Sequence, residues 1–193
     1  MDAAVSDRKA ITEQAEPGDL RGLKDLYDRK ARVMAKRPEL ARGSGHAHVH
    51  LTEGLACAVH EGGARRPVDL ATTDGGLGDH PSPDELLRAS LAASLALGYR
   101  LWGARLEVPL RGIEVELNTD DDARGQLLLE TDVAPGWLRI HVLVTIVSAA
   151  PAADVQRVVD CANRHCLVLA TLSREIQRIH QLRILPWTPD ADG

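Results

Sequence analysis

The sequence predicts an α+β fold in which largely antiparallel strands surround a buried central helix. Two groups of segments with a period of two, three in each, are separated by one long helical stretch; strands and helices do not alternate one by one as in a doubly wound sheet. The segments within each group are joined by turn-like runs such as Gly62-Gly63 and DDDARG, which antiparallel neighbours need. The stretch Leu86 to Leu97 is apolar or small at nearly every position, with Arg88, Ser90 and Ser94 as the polar exceptions. A helix apolar all round is a buried one.

Each element follows from local chemistry. Residues 1 to about 17 are polar and read as a frayed tail. Leu20, Leu23, Tyr27, Ala31 and Met34 then recur at helical spacing until Pro38 ends the pattern. This amphipathic helix is expected to pack on the main domain, and ARGSG is a flexible joint after it. HAHVHLTEGLACAVHEGG reads as strand, turn and strand, with RRPVDLAT as a third. A Gly-rich loop leads to Ser82 as N-cap, Pro83 at the first helical position and Asp84-Glu85 in the first turn. Beyond Val108-Pro109, RGIEVELNT, GQLLLETDV and LRIHVLVTIVS are three strand patterns. An amphipathic helix starts near Ala153, CLVLATLSREIQ continues as a short helix, and IHQLRILPW is a closing strand. A single small sheet cannot surround a helix apolar on every side, so a second subunit is expected to cover it.

Composition narrows the function. The 193 residues are 44% hydrophobic and 26% charged, as in one soluble domain with an appendage. A net charge of −5 with no concentrated basic face argues against nucleic acid as a partner. Neither a long apolar run nor a signal-like start is present, so the expectation is no membrane span and no secretion. Aromatic residues make up only 3%, with no Phe, so no stacking platforms are expected. Three cysteines without C-x-x-C spacing fit neither a disulfide framework nor a zinc knuckle and point to a reducing cytoplasm.

The run GG-x-G-x-H-P-S-P-D-E-L-L-R-A-S-L-A-A-S from Gly75, with R-H-C-x-V-L-x-T-L from Arg164, resembles the OsmC/Ohr family of osmotically inducible and organic hydroperoxide resistance proteins. The resemblance covers about residues 46 to 187, which divides the chain into an N-terminal tail and helical extension over 1–45 and an OsmC-like domain over 46–193. It implies an OsmC-like fold in which largely antiparallel sheets wrap around two central helices of an intertwined homodimer. It also implies a peroxidatic cysteine in the central helix that becomes a sulfenic acid, and a second cysteine that closes a disulfide with it. An arginine and an acid hold the first thiol as a thiolate. By position, the peroxidatic site is Ser94, the resolving cysteine is Cys166 and the acid is Asp84, with Arg65 or Arg66 as the arginine. The resolver is thus present and the attacker absent, since a serine hydroxyl has no redox ladder. Asp84 precedes Ser94 by ten helical residues, about 15 Å at 1.5 Å per residue, so the two meet only across a dimer. Glu85 is a substitute acid.

Two functions stay open. One is an organic hydroperoxide peroxidase whose activity is weakened or depends on Cys166, with a thiol or dithiol as reductant. The other is a non-catalytic OsmC-fold protein that binds a small hydrophobic ligand at the dimer interface. Cys166 taken alone reads as a small buried hydrophobe. Cys161, five residues earlier, is badly spaced for a disulfide, and Cys57 reads as core. His46, His48 and His50 share one strand face; a solvated face is the favoured reading over a metal site, so neither metal nor cofactor is expected. His80 reads as a surface loop residue. Gly75, Gly76 and Gly78 shape a turn and are not spaced as a dinucleotide fingerprint. Ser94 lacks the G-x-S-x-G elbow of a hydrolase.

Overall fold

The computed structural model describes residues 20–51, 54–127, 129 and 132–182. Helix α1 spans Leu20–Lys36 and ends just before Pro38, whose ring cannot continue it. Leu23, Tyr27 and Met34 are half-buried on it. Strands β1 (Ala47–His50), β2 (Cys57–Glu61) and β3 (Ala64–Val68) form an antiparallel meander with β2 in the centre. Glu61 pairs with Ala64 across Gly62 and Gly63, whose φ values of 57° and 77° are the left-handed conformations a two-residue hairpin turn requires.

The loop after β3 wraps around one carboxylate. Asp69 is 1% exposed and accepts hydrogen bonds from the backbone N–H groups of Leu70, Leu77 and Gly78 at 2.7, 3.0 and 3.0 Å. Gly76 packs so closely here that a Cβ atom would lie 2.0 Å from the Leu70 carbonyl oxygen, so no other residue fits. Burial alone would push the Asp69 carboxyl up, but the N–H groups of Leu70, Leu77, Asp79 and Gly78 outweigh it and hold it below its ordinary value. A lowered folded-state value stabilises the loop above the ordinary aspartate value of 3.8 and ceases to do so as pH falls through the folded one. Hydrogen exchange at the Leu77 and Gly78 amides is therefore expected to speed up in acid, and Asp69→Asn to exchange fast already at neutral pH. An unchanged neutral-pH rate in Asp69→Asn would remove Asp69 as the pin.

Helix α2 (Pro83–Arg105) starts as the sequence predicts. Ser82 Oγ accepts from the Glu85 N–H at 3.4 Å and Glu85 Oε2 accepts from the Ser82 N–H at 2.8 Å, a reciprocal cap. Helix α1 packs against α2. Strands β4 (Gly112–Asp121) and β5 (Trp137–Val147) form a long antiparallel hairpin, followed by α3 (Ala152–His165) and α4 (Leu167–Leu172).

Two expected strands are not found among the described residues. In GQLLLETDV the residues flanking the undescribed 128, 130 and 131 carry no strand, because β4 and β5 pair directly and leave this segment as their connection. Residues 179–182 of the expected closing strand are irregular, and its remainder lies outside the described residues.

The core gathers Leu91, Leu95 and Tyr99 of α2, Val108 and Leu110 of the following loop, and Val158, Ala162 and Cys166. Ile113, Val115 and Leu117 of β4 and Ile140, Val144 and Ile146 of β5 lie against it from one sheet face, as the period of two dictates. Within this chain only one face of α2 is covered, in keeping with a helix that has more apolar surface than one small sheet can surround. Leu97 on the opposite face is 71% exposed. Among the described residues no helix is long and apolar enough to cross a membrane.

Candidate functional site

Residues Leu91, Leu95 and Tyr99 repeat every four positions and set the buried stripe of α2. Ser94 borders that stripe and is half-buried. On the facing side, Cys166 stands where α3 ends and α4 begins, with extended backbone (φ −71°, ψ 116°) and 5% exposure. The break between the helices turns its side chain into the core. Ser94 Oγ and Cys166 Sγ consequently lie 3.2 Å apart, although 72 residues separate them in the chain. A serine hydroxyl at that distance can donate a hydrogen bond to sulfur.

A buried polar pair supports this junction. Tyr99 is fully buried, and its hydroxyl donates to Asn163 Oδ1 at 2.9 Å, tying α2 to α3 one turn from Cys166. Burial pushes the Tyr99 phenol up, and the nearby Cys166 thiol adds to the shift. The pair escaped sequence reasoning because Tyr99 continues the apolar stripe; its hydroxyl, which must find a partner once buried, was the available signal. His165 is held at the helix end by a 2.8 Å bond to the Cys161 carbonyl and by ring contact with Trp102 at 4.9 Å between centroids. A carbonyl only accepts, so the Nδ1 of His165 is the donor in this bond.

The other candidate residues lie elsewhere. Asp84 sits at the N-terminus of α2, where Arg88 binds it at 2.8 Å and also donates to Thr119 at 2.6 Å. Hydrogen bonding from Ser82, followed by Arg88, holds the Asp84 carboxyl below its ordinary range. The i,i+4 spacing of Asp84 and Arg88 was a readable signal for that pair. Glu85 is engaged in the helix cap. An open cavity of about 740 Å³ beside Asp84 is lined by Leu87, Trp137, Ile140 and Leu172 among others; Ser94 and Cys166 are not part of its wall. His80 and Gly78 lie in the exposed loop before α2.

Arg65 and Arg66 are exposed on β3 and point to opposite faces of the meander. Arg66 pairs with Val59 and shares a face with Val49, Cys57 and Val68, whereas Arg65 pairs with His60 and shares a face with His48. The apolar face thus carries Arg66. Cys57, Cys161 and Cys166 are all free thiols. Among the described residues no group of three or more His, Cys, Asp or Glu side chains is arranged to hold a metal ion.

A family model described as OsmC-like protein matches residues 76–180. No curated protein matches the chain. The fold is similar to that of an OsmC-like protein from Mycoplasma pneumoniae, with a TM-score of 0.58 at 14% identity over 68% of this chain and 88% of the other. An OsmC-like protein of Vibrio cholerae gives a TM-score of 0.56 at 9% identity, over 67% of this chain and 94% of that one. An organic hydroperoxide resistance protein OsmC from Legionella pneumophila gives 0.52 at 16% identity, over 67% and 89%. At such identities the likeness is one of fold. Because the family model spans more than half of the residues, and includes both the capped α2 and the Cys166 junction, this chain belongs to the family of OsmC-like proteins.

Proposed function

We propose that the protein is a homodimeric, thiol-dependent organic hydroperoxide reductase in which Cys166 attacks the peroxide and an external thiol or dithiol restores it. The observation that carries this reading is the 3.2 Å contact between Ser94 Oγ and Cys166 Sγ. It gives the thiol a hydroxyl donor from the position where the family has its attacking cysteine. The Cys166 thiolate attacks the terminal peroxide oxygen, the O–O bond breaks, and the alkoxide leaves and takes up a proton as the alcohol. The resulting sulfenic acid condenses with one external thiol, releasing water and forming a mixed disulfide. A second thiol cleaves this to regenerate Cys166 and release the oxidised reductant.

The second subunit completes the site. Apart from Val68, which is 4% exposed at the end of β3, no residue of β1, β2 or β3 is buried within its own chain, and the meander's apolar face is open at Val49, which is 49% exposed. The opposite face of α2 is open too, at Leu97. Exchange of meanders between two copies covers both faces and brings Arg66, on the apolar side, toward the partner's α2. Small hydrophobic peroxides suit the Leu- and Ala-rich walls such an interface has. In this reading residues 1–45 are a tail and helical extension and 46–193 the OsmC-like domain, within which the family model matches 76–180; three free thiols fit a reducing cytoplasm.

The test is consumption of cumene hydroperoxide by the purified protein with dithiothreitol, beside Cys166→Ser. Turnover is expected to fall to background in the variant, and dimedone to label Cys166 in the unaltered protein after one equivalent of peroxide. Equal activity in the two proteins would overturn the reading. Activity in neither, together with thermal stabilisation by an apolar ligand, would favour the non-catalytic binder instead.

A further inference from the structure

The outer face of the meander collects imidazoles that the peroxide chemistry does not use. His48 and His60 are directly opposite each other in the β1–β2 register, with ring centroids 6.5 Å apart. Both are exposed. His50 follows two residues on along the same face, opposite the small Ala58. The sequence placed His46, His48 and His50 together on one strand; sheet pairing adds His60 from the neighbouring strand, which spacing in the chain does not reveal.

We propose that His48 and His60 form a cross-strand chelate for a late first-row divalent cation such as Ni²⁺, Cu²⁺ or Zn²⁺. Two imidazoles bound to one ion through nitrogens at about 2.0–2.1 Å have ring centroids about 5 Å apart at a tetrahedral angle. The observed 6.5 Å is closed by small rotations of two exposed side chains, without movement of the backbone. Imidazole selects these metals over Mg²⁺ and Ca²⁺, which take oxygen ligands. The donor set is two nitrogens, with water in the remaining positions. Arg65, opposite His60 on the third strand, adds a positive charge beside the ion and keeps the affinity moderate. A bound ion ties the edge strand β1 to the central strand β2.

Calorimetric titration of the full, untagged chain with Ni²⁺ tests this. One site per chain is expected, weakened at least tenfold in His48→Ala and in His60→Ala and no further in the double variant, because either loss breaks the chelate. His50→Ala is expected to change it less than threefold. Paramagnetic broadening of the His48 and His60 ring signals should precede that of the other histidines. These substitutions lie on an exposed face, and an unchanged circular dichroism spectrum certifies the fold. Unaltered affinity in both single variants, no binding above that of the double variant, or an equal loss in His50→Ala would each overturn the proposal. The readout is independent of peroxide turnover.

Discussion

Ser94→Cys is expected to close a disulfide with Cys166 on treatment with one equivalent of organic hydroperoxide, and to raise steady-state peroxide turnover roughly tenfold or more. Ser94 Oγ is 3.2 Å from Cys166 Sγ, and a sulfur on the same Cβ needs only a small rotation to reach the ~2.05 Å of an S–S bond. The sulfenic acid formed on either sulfur then meets a thiol held beside it, and condensation releases water without waiting for an external reductant. The chain has three cysteines and the variant one more, so titratable thiols should fall by two on oxidation and return with dithiothreitol. If the thiols oxidise no faster than in the unaltered protein, the surrounding charge and access needed for attack are lacking, and loss of the cysteine was not the sole change.

Leu97→Asp is expected to dissociate the proposed dimer. A leucine 71% exposed on a free surface would tolerate replacement with a stability change of about 0.5 kcal/mol or less. At the centre of an interface between two α2 helices, the same position loses apolar contact and gains a buried charge, which costs about 2 kcal/mol or more, roughly a thirtyfold rise in the dissociation constant. Sedimentation of the two proteins at micromolar concentration measures the shift. Peroxide turnover should fall with it, because in the proposed dimer Arg66 reaches the site from the partner. A Leu97→Asp protein with the unaltered dimer constant would place the interface elsewhere.

Much of the fold is readable in the residues because the deciding interactions are local. The α2 start at Ser82-Pro83-Asp84-Glu85 is a matter of four neighbouring residues, and both halves of its capping box are formed. The α1 pattern ends at a proline for a reason contained in the proline itself. By contrast, the alternation in GQLLLETDV is a local signal overruled by a non-local one. The β4–β5 ladder runs from Gly112 opposite Val147 to Asp121 opposite Trp137. Gly125 in the connection lies so near the Ala134 carbonyl, 2.6 Å from where its Cβ would be, that the chain folds back on itself there.

The candidate site divides along the same line. Residue types determined that position 94 is a serine without redox chemistry and that the helix carrying it has more apolar surface than one small sheet can cover, and the resemblance to the family implied that Cys166 is the thiol near it. Only the tertiary structure decided that Ser94 and Cys166 touch across 72 residues of chain, that the Arg88 holding Asp84 also reaches Thr119 of β4, and that Arg66 shares the apolar sheet face while Arg65 shares the histidine face. The physical reason is that helix caps and periodicity are set by neighbours within a turn or two, whereas contacts between helices and the register of strands depend on packing the whole core at once.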